Sequence, residues 1–260
     1  ATNHDVYSID AGETLDASVG QSLAYRELVI ASGPMGYWRF GESSTSQPAR
    51  DEIANRHGEY VGGVTVGQPG TIGDGNSAAR FDATSGYVNV PNSSAFNLAN
   101  NFSVEAWIQP NSVGDYRRIA AFEQIGNGWA FGTRDSRLIF TTTGELDYYS
   151  PSNLVKVGEW QHIVAVFNAS NDVAFYLNGS LVGQVAGSAP ARSSNGSLHL
   201  GGEPIGSQFS DSFVDDIAIY NRVLAPAEIA EHYAAAMPTV ADSVAEFSGT
   251  QGQDGWFYGY

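Results

Sequence analysis

The 260-residue chain contains no cysteine, so disulfides, thiol nucleophiles and thiolate metal sites are all excluded. Lysine is nearly absent as well: Lys156 is the only one among 12 basic residues, against 28 acidic residues and a net charge of −16. A chain this acidic repels phosphate backbones and anionic membrane surfaces, so neither a nucleic-acid partner nor membrane insertion is expected. No apolar run approaches the roughly 18–20 residues that a membrane-spanning helix needs.

Glycine and short alternating segments are what the chain has in abundance. Its 30 glycines and 10 prolines separate runs in which apolar and polar residues alternate, as in Phe102–Gln109. Turn signals lie between the runs, among them Asn127-Gly128 and Asn178-Gly179, and the second predicts a hairpin with a type I′ turn. Further predicted strands are Gly86–Val90, Arg118–Gln124, Gly128–Thr133, Arg137–Thr142, Gln161–Asn168, Val173–Leu177, Ser180–Gln184, Ser197–Leu200 and Val214–Tyr220. This pattern predicts an all-β fold, an antiparallel two-sheet jelly-roll sandwich.

Helix is expected at the two ends of this sandwich. Ser22–Ala31 has the apolar spacing of a short helix, and Pro226–Ala236 begins with proline near its first position and Glu228 in its first turn. We therefore divide the chain into a leader or linker at residues 1–24, a sandwich domain at 25–236 and a linker at 237–260. The aromatic residues 256–260 favour the start of a further module, with packing on the sandwich as the alternative.

Seven segments occur in a characteristic order and spacing, and Leu224 with Glu228-Ile229 closes the series. The segments are Val29–Glu42, Pro69–Asp82, Tyr87–Pro91, Phe102–Ile108, Trp160–Ala165, Tyr176–Gly179 and Asp215–Arg222. In this order, residues 25–236 resemble the concanavalin A-like, laminin-G-like jelly-roll domains of large secreted proteins. One position departs from the family pattern, since Ala83 stands where glycine usually follows the Phe-Asp pair. The resemblance implies the fold and leaves the function open, because members bind glycans, bind proteins, act as spacers or accompany catalytic domains.

No catalytic motif is evident in the sequence. A retaining glycosidase needs two carboxylates about 5–5.5 Å apart, and related jelly-roll hydrolases supply them from alternating acidic residues on one strand. The nearest pattern is Glu145-Leu146-Asp147, which follows Gly144 and therefore favours a solvated loop. The Gly-x-Ser-x-Gly and His-Glu-x-x-His motifs are absent, and His162 beside Trp160 is expected to be a buried structural residue. We therefore expect no catalysis.

A calcium site is expected where the first and last strands meet. An acidic chain without cysteine offers oxygen ligands, which suit Ca²⁺. In related jelly-roll hydrolases, an aspartate two residues before the closing apolar strand binds a structural Ca²⁺, and the resemblance assigns this role to Asp215. It also implies that main-chain carbonyls near Gly41 and Glu42, and around Asp82 to Gly86, complete the coordination shell.

The faces of Asp215 and its neighbour Asp216 follow from strand alternation. Alternation places Asp215 on the side of the following Ile217 and Asp216 on the opposite side. The alternative is that these two aspartates cap turns or form ion pairs with Arg39 or Arg222.

Two segments combine aromatic rings with planar polar groups, as carbohydrate sites do. The candidate binding residues are Tyr116, Arg118, Trp129, Arg134, Tyr148 and Tyr149. A local basic cluster formed by Arg117, Arg118, Arg134 and Arg137 could bind the carboxylate or sulfate of an anionic polysaccharide. The alternative is that Trp129 belongs to the core and that the arginines neutralise neighbouring acids.

These features predict a non-catalytic, lectin-like carbohydrate-binding module that is stabilised by calcium. The expected partner is a polysaccharide or glycan, with anionic glycans among the candidates. We expect the domain to be linked covalently to further domains of a secreted or cell-surface protein, most simply a bacterial one. A structural or adhesive spacer that binds protein or nothing is the first alternative, and a glycan-active enzyme is the second.

Overall fold

A computed structural model describes residues 25–72, 75–91 and 93–237, so the leader and nearly all of the predicted tail lie outside the described residues. The fifteen strands are β1 Gly36–Trp38, β2 Glu59–Val61, β3 Val64–Pro69, β4 Ser77–Phe81, β5 Tyr87–Val90, β6 Phe102–Pro110, β7 Arg117–Gln124, β8 Asn127–Arg134, β9 Arg137–Thr142, β10 Leu146–Tyr149, β11 Gln161–Phe167, β12 Val173–Leu177, β13 Ser180–Val185, β14 Ser197–Leu200 and β15 Ser212–Tyr220. Helix α1 covers residues 25–31 and helix α2 covers Pro226–Ala236. A single 3₁₀ turn lies at Ser94–Phe96.

The strands form two antiparallel sheets that pack face to face. The first sheet has the order β13-β12-β11-β6-β15-β4-β3, and β1 also pairs with β15. The second sheet has the order β10-β9-β8-β7-β14-β5-β2. Apolar side chains from the facing sides of both sheets fill one core, among them Val104, Ile108, Phe122, Phe131, Phe140, Ile163 and Ile219. This is the predicted jelly-roll sandwich, because alternation along each strand supplies one apolar face to the core.

The predicted hairpin turn is confirmed, whereas one other predicted turn is wrong. Asn178 and Gly179 have φ values of 49° and 75°, as a type I′ turn between β12 and β13 requires. Asn127 and Gly128, predicted as a turn, instead open strand β8, and the chain reverses at residues 125–126. Gly126 has φ 77°, so this glycine, two residues before Gly128, supplies the left-handed residue that the reversal needs.

Both helices lie on the outer face of the first sheet. Tyr25 and Val29 of α1 and Ile229 of α2 share a buried apolar cluster with Trp107 and Val164 of the sheet. Helix α2 begins where the sequence predicted, with Glu228 accepting a hydrogen bond of 2.8 Å from the main-chain nitrogen of Ala225. Among the described residues, no helix is both long and apolar enough to cross a membrane.

A buried polar cluster lies beneath the two helices. The Glu105 carboxylate accepts a hydrogen bond from the Tyr220 hydroxyl at 2.6 Å and lies 3.0 Å from Nδ1 of His232 on α2. Nε2 of His162 lies 3.4 Å from the same carboxylate, and this histidine is fully buried, as predicted. The Oγ of Ser32, directly after α1, lies 3.0 Å from Nε2 of His232. The cluster therefore ties both ends of the domain to the first sheet, and both helices of the described residues lie on that sheet.

Candidate functional site

A cleft of about 460 Å³ lies on the outer face of the second sheet. Small residues lie on this face of the sheet, since strand register pairs Ala121 of β7 with Ala130 of β8. The register also places Gly132 of β8 opposite Arg118. A Cβ atom at Gly132 would lie 1.9 Å from the main-chain oxygen of Arg117, so only glycine fits there. The lining residues are Tyr116, Arg118, Glu123, Ile125, Thr141, Thr143, Asp147, Glu203, Ile205, Gly206 and Gln208.

One wall of the cleft is a network of hydrogen-bonded side chains. Asp147 of β10 accepts hydrogen bonds from the Tyr116 hydroxyl at 2.7 Å and from Oγ1 of Thr141 at 2.6 Å. Nη1 of Arg134 donates to the hydroxyls of Tyr116 and Tyr149, the latter at 2.9 Å, and its guanidinium carbon lies 4.1 Å from the centre of the Tyr116 ring. Burial and the bonds to Tyr149 and Asp147 raise the pKa of Tyr116, which therefore keeps its proton. These contacts hold the Tyr116 ring in place at the cleft.

Two acidic side chains in contact form the cleft floor. Glu203 accepts hydrogen bonds from the main-chain nitrogens of Ile205, at 2.7 Å, and Gly206. It lies beside Glu123, which accepts a bond from Oγ1 of Thr143. Burial, helped by the adjacent Glu203 and opposed by Thr143 and Arg118, raises the pKa of Glu123 to about 7. The pair can therefore share a proton near neutral pH.

Arg118 lies beside this acidic pair with one nitrogen unbonded. Its side chain is 3% exposed, and Nε donates to the side-chain oxygen of Gln208 at 2.6 Å. Nη1 has no hydrogen-bond partner among the described residues. A buried polar group without a partner costs about 1–3 kcal/mol, so a ligand oxygen that reaches this nitrogen would recover part of that cost.

Exposed apolar residues stand at the mouth of the cleft. Ile125, on the reversal between β7 and β8, is 81% exposed, and Ile205 of the facing loop is 49% exposed. Such side chains can contact the apolar faces of a ligand whose polar groups reach the floor. The cleft thus combines an apolar rim with a polar, hydrogen-bonded interior, the arrangement typical of small-molecule sites.

Four of the six predicted binding residues come together here, and two predictions are wrong. Tyr116 and Arg118 line the cleft, while Arg134 and Tyr149 are bonded to its Tyr116 wall. Trp129 is fully buried in the core and donates from its ring nitrogen to the main-chain oxygen of Phe96 at 2.9 Å. Tyr148 is also fully buried, because strand alternation turns it inward between Asp147 and Tyr149.

Several lining residues were missed by the sequence analysis. Glu123 could have been found, since it alternates with the inward Phe122 along a predicted strand. Glu203 and Gln208 belong to a loop about 80 residues later in the chain, and no local pattern connects them with β7. That loop is held to β7 by a hydrogen bond of 3.2 Å from the main-chain nitrogen of Arg118 to the oxygen of Gln208.

The acidic pair Glu145 and Asp147 is separated in the structure. The Glu145 carboxylate forms a 2.5 Å ion pair with Arg192, whereas Asp147 belongs to the Tyr116 network of the cleft. Each carboxylate is therefore engaged with different partners.

Asp215 lies on a face other than the predicted one. A bulge in β15 shifts the register between Asp215 and Ala218, and Asp216 within it has φ 48°. Asp215 aligns with Trp107 of β6, whose side chain belongs to the outer cluster, whereas Ile217 packs in the core. Asp216 forms a 2.8 Å ion pair with Arg39, as the alternative interpretation of the aspartate pair expected.

Three oxygen atoms converge near Asp215, on the side-chain nitrogen of Asn76. Nδ2 of Asn76 donates to the main-chain oxygens of Arg39 at 2.7 Å and Ser77 at 3.2 Å, and lies 3.5 Å from Oδ1 of Asp215. Gly41 is adjacent, since a Cβ atom there would lie 2.0 Å from Oδ1 of Asn76. Oxygen atoms are the ligands that a hard cation such as Ca²⁺ prefers, and here they surround the amide nitrogen of Asn76. Among the described residues no three His, Cys, Asp or Glu side chains cluster in a way that could hold a metal, so main-chain oxygens would dominate.

The other predicted calcium ligands lie elsewhere. Asp82 and Gly86 sit beyond the far end of β4, where the neighbouring Ala83 is bonded to Ser210. The Asp82 carboxylate is occupied by the turn that follows, accepting bonds from the main-chain nitrogens of residues 84, 85 and 86. Glu42 is bonded through its side chain to the Tyr60 hydroxyl at 2.6 Å. The main-chain oxygens near Asp215 come from Arg39, two residues before the predicted Gly41, and from Ser77, which opens β4.

A larger hollow of about 760 Å³ lies near Arg39, Glu42 and Asp51. Its acidic groups are engaged within the protein: Asp51 accepts bonds from the main-chain nitrogens of Tyr37, Ile53 and Ala54. Bonds of this kind to main-chain nitrogens are typical of an aspartate that forms a turn.

Comparison with known families matches residues 82–230, more than half of the chain, to laminin G-type domains described as the concanavalin A-like lectin/glucanases superfamily. A search of proteins with curated functions finds no match.

Solved structures with the same fold come from several kinds of protein. Domain 4 of AbnA, a GH43 extracellular arabinanase from Geobacillus stearothermophilus in complex with arabinotriose, has a TM-score of 0.60 and 17% identity, over 77% of this chain and 98% of that one. The binding domain of Paraclostridial Mosquitocidal Protein 1 has a TM-score of 0.60 and 16% identity, over 78% and 52% of the two chains. Trypanosoma rangeli sialidase has a TM-score of 0.54 and 13% identity, over 78% and 32%. The chain thus spans only part of the toxin domain and of the sialidase, and at these identities the likeness is one of fold.

Proposed function

Because the chain belongs to the concanavalin A-like lectin/glucanases superfamily, we propose that it is a non-catalytic carbohydrate-binding module of a larger secreted protein and that its glycan binds in the cleft of the second sheet. The observation that carries the proposal is the pre-formed cleft, where the hydrogen-bonded Tyr116 wall faces the acidic floor and Nη1 of Arg118 has no partner within the described part of the chain. Preorganised polar groups favour binding because little ordering remains to be done. The arabinotriose bound to a domain of the same fold supports a carbohydrate as the ligand.

A glycan array followed by calorimetry tests this function. Tyr116→Ala should weaken binding of the selected oligosaccharide by about 5- to 150-fold, because stacking on an aromatic ring is worth roughly 1–3 kcal/mol. Tyr60→Ala is the matched control, since Tyr60 is also a partly buried tyrosine bonded to a carboxylate but lies outside the cleft. Equal affinities of the Tyr116 variant and wild type would place the glycan outside the cleft, whereas no glycan bound at all would favour the spacer alternative.

The sequence contains none of the catalytic motifs considered above, and this supports a non-catalytic role. We therefore expect no new reducing ends when the protein is incubated with polysaccharides. Release of sugar that Glu123→Gln abolishes would replace the proposed module with an enzyme.

We also propose that Asp215 and the main-chain oxygens of Arg39 and Ser77 hold a structural calcium ion. Bound calcium would join the first strand, the start of β4 and the last strand. A hundredfold excess of calcium over its dissociation constant would stabilise the fold by about 2.7 kcal/mol. Chelation should lower the melting temperature of metal-loaded protein by roughly 5–10 °C, and Asp215→Asn should remove that sensitivity.

Asp211→Asn is the control for the calcium test. Asp211 directly precedes β15 and pairs with Arg80 at 2.8 Å. This variant should keep the response to chelator. Identical melting of metal-loaded wild-type protein with and without chelator would contradict the calcium proposal.

A further inference from the structure

The cleft floor carries more negative than positive charge. Glu123 and Glu203 are in contact and are 7% and 1% exposed. Asp147 faces them from β10, and Arg118 is the cation whose charge interacts with all three carboxyl groups. His199 of β14 lies near Glu203, and burial lowers its pKa, so it is neutral at pH 7. One guanidinium thus balances three acidic side chains.

The remaining arginines of the predicted basic cluster are engaged outside the floor. Nη1 of Arg117 donates to the main-chain oxygen of Phe209 at 3.2 Å. Arg134 binds the hydroxyls of the Tyr116 wall and lies 3.5 Å from Asp135. Arg137 lies over the ring of Tyr149 at 5.9 Å. The cluster that suggested an anionic ligand from the sequence therefore does not make the cleft floor positive.

Arg118 nevertheless keeps a donor for an uncharged oxygen. A sugar hydroxyl or ring oxygen at Nη1 would satisfy this nitrogen without adding charge. A carboxylate or sulfate at the same place would add a negative charge beside Glu123 and Glu203, where burial strengthens repulsion. We propose that the cleft accepts uncharged sugars and rejects uronic, sulfated and sialylated ones, an inference that rests on the glycan site proposed above.

Matched pairs of oligosaccharides test this selectivity. The probes are neutral oligosaccharides and the same chains oxidised to uronic acids at C6, together with methyl-esterified and free-acid oligogalacturonate. At pH 8 the uncharged member of a pair should bind at least about tenfold more tightly than the charged member. The preference should narrow at pH 5, because Glu123, with a pKa of about 7, is then protonated.

Glu123→Gln should remove this pH dependence of the preference, since glutamine keeps the shape of the side chain and carries no charge. Glu59→Gln, at the exposed far edge of the same sheet, is the control and should leave it unchanged. If charged probes bind more tightly while Tyr116→Ala still weakens binding, the glycan site stands and the selectivity inference is wrong. If no probe of either kind binds, the proposed function is wrong and the inference falls with it.

Discussion

Glu105→Gln removes a buried negative charge from beneath α1 and α2 while preserving the size of the side chain. Burial raises the pKa of Glu105, but the charges and hydrogen bonds of His232 and His162 outweigh it and hold the pKa well below its ordinary value. Burial likewise lowers the pKa of His232, and the charge and hydrogen bond of Glu105 outweigh it and raise the pKa above 6.5. Near pH 6 the two groups therefore form a buried ion pair.

The magnitude follows from the contacts that the substitution removes. Breaking a buried ion pair by removing one partner costs about 3–5 kcal/mol. Glutamine can still accept the 2.6 Å hydrogen bond from Tyr220, so we expect the lower end, about 3 kcal/mol. For a domain of this size, that corresponds to a fall in melting temperature of roughly 6–12 °C.

The pH dependence distinguishes this ion pair from a simple packing effect. The contribution of Glu105 is present above its ordinary pKa of 4.5 and is lost as the pH falls toward its lowered value. The contribution of His232 is complete below 6.5 and is lost as the pH rises through its raised pKa. The stability difference between wild type and Glu105→Gln should therefore be largest near pH 6 and smaller near pH 9.

Urea unfolding at pH 6 and pH 9 measures this difference. Glu231→Gln, the same substitution at an exposed position on α2, is the control and should change stability by less than about 0.5 kcal/mol. The ion pair would be refuted if Glu105→Gln lost the same stability at both pH values, or if this variant were as stable as wild type at pH 6.

Four further substitutions test other parts of the structure. Wild type should lose about 2–3 kcal/mol of stability between pH 5 and pH 8, because Glu123 in the folded state keeps its proton up to a pKa of about 7. Glu123→Gln should remove this loss. Thermal melts at both pH values would contradict the prediction if both proteins lost stability equally. Ala83→Gly should stabilise the fold by about 0.5–1 kcal/mol in urea, since Ala83 has φ 68°, and destabilisation would argue against strain there. Trp129→Ala should cost about 3–5 kcal/mol and Tyr149→Ala about 1 kcal/mol or less, and the reverse order would place Trp129 outside the core.

The strands were predictable because alternation is a local property of the sequence. The bounds of β9, β12, β14 and α2 match the predicted ranges, and the other predicted strands differ by one or two residues at an end, whereas β1 to β4 and β10 were not among the predicted strands. Sheet order depends on contacts distant in sequence, such as β6 beside β15, and no local pattern contains it. The turn predicted at Asn127-Gly128 was wrong because Gly126 and Gly128 can each supply a left-handed residue, and the local sequence does not decide between them.

The site was predictable in part for a related physical reason. Alternation separates the two faces of a strand but does not state which face is inside, so Tyr148 and Trp129 were assigned to the wrong one. A bulge reverses the faces within a single strand, which moved Asp215. Glu203 reaches the cleft through a loop that only the tertiary fold brings to β7.

The location of a bound glycan tests the central claim most directly. Amide hydrogen exchange should be measured with and without a saturating concentration of the oligosaccharide that the array selects. We predict that protection on binding is concentrated at residues 116–123, 141–149 and 203–208, which line the cleft. Protection confined to residues 39–57, which border the larger hollow on the other side of β1, or to the helices on the first sheet, would contradict the assignment of the cleft as the binding site.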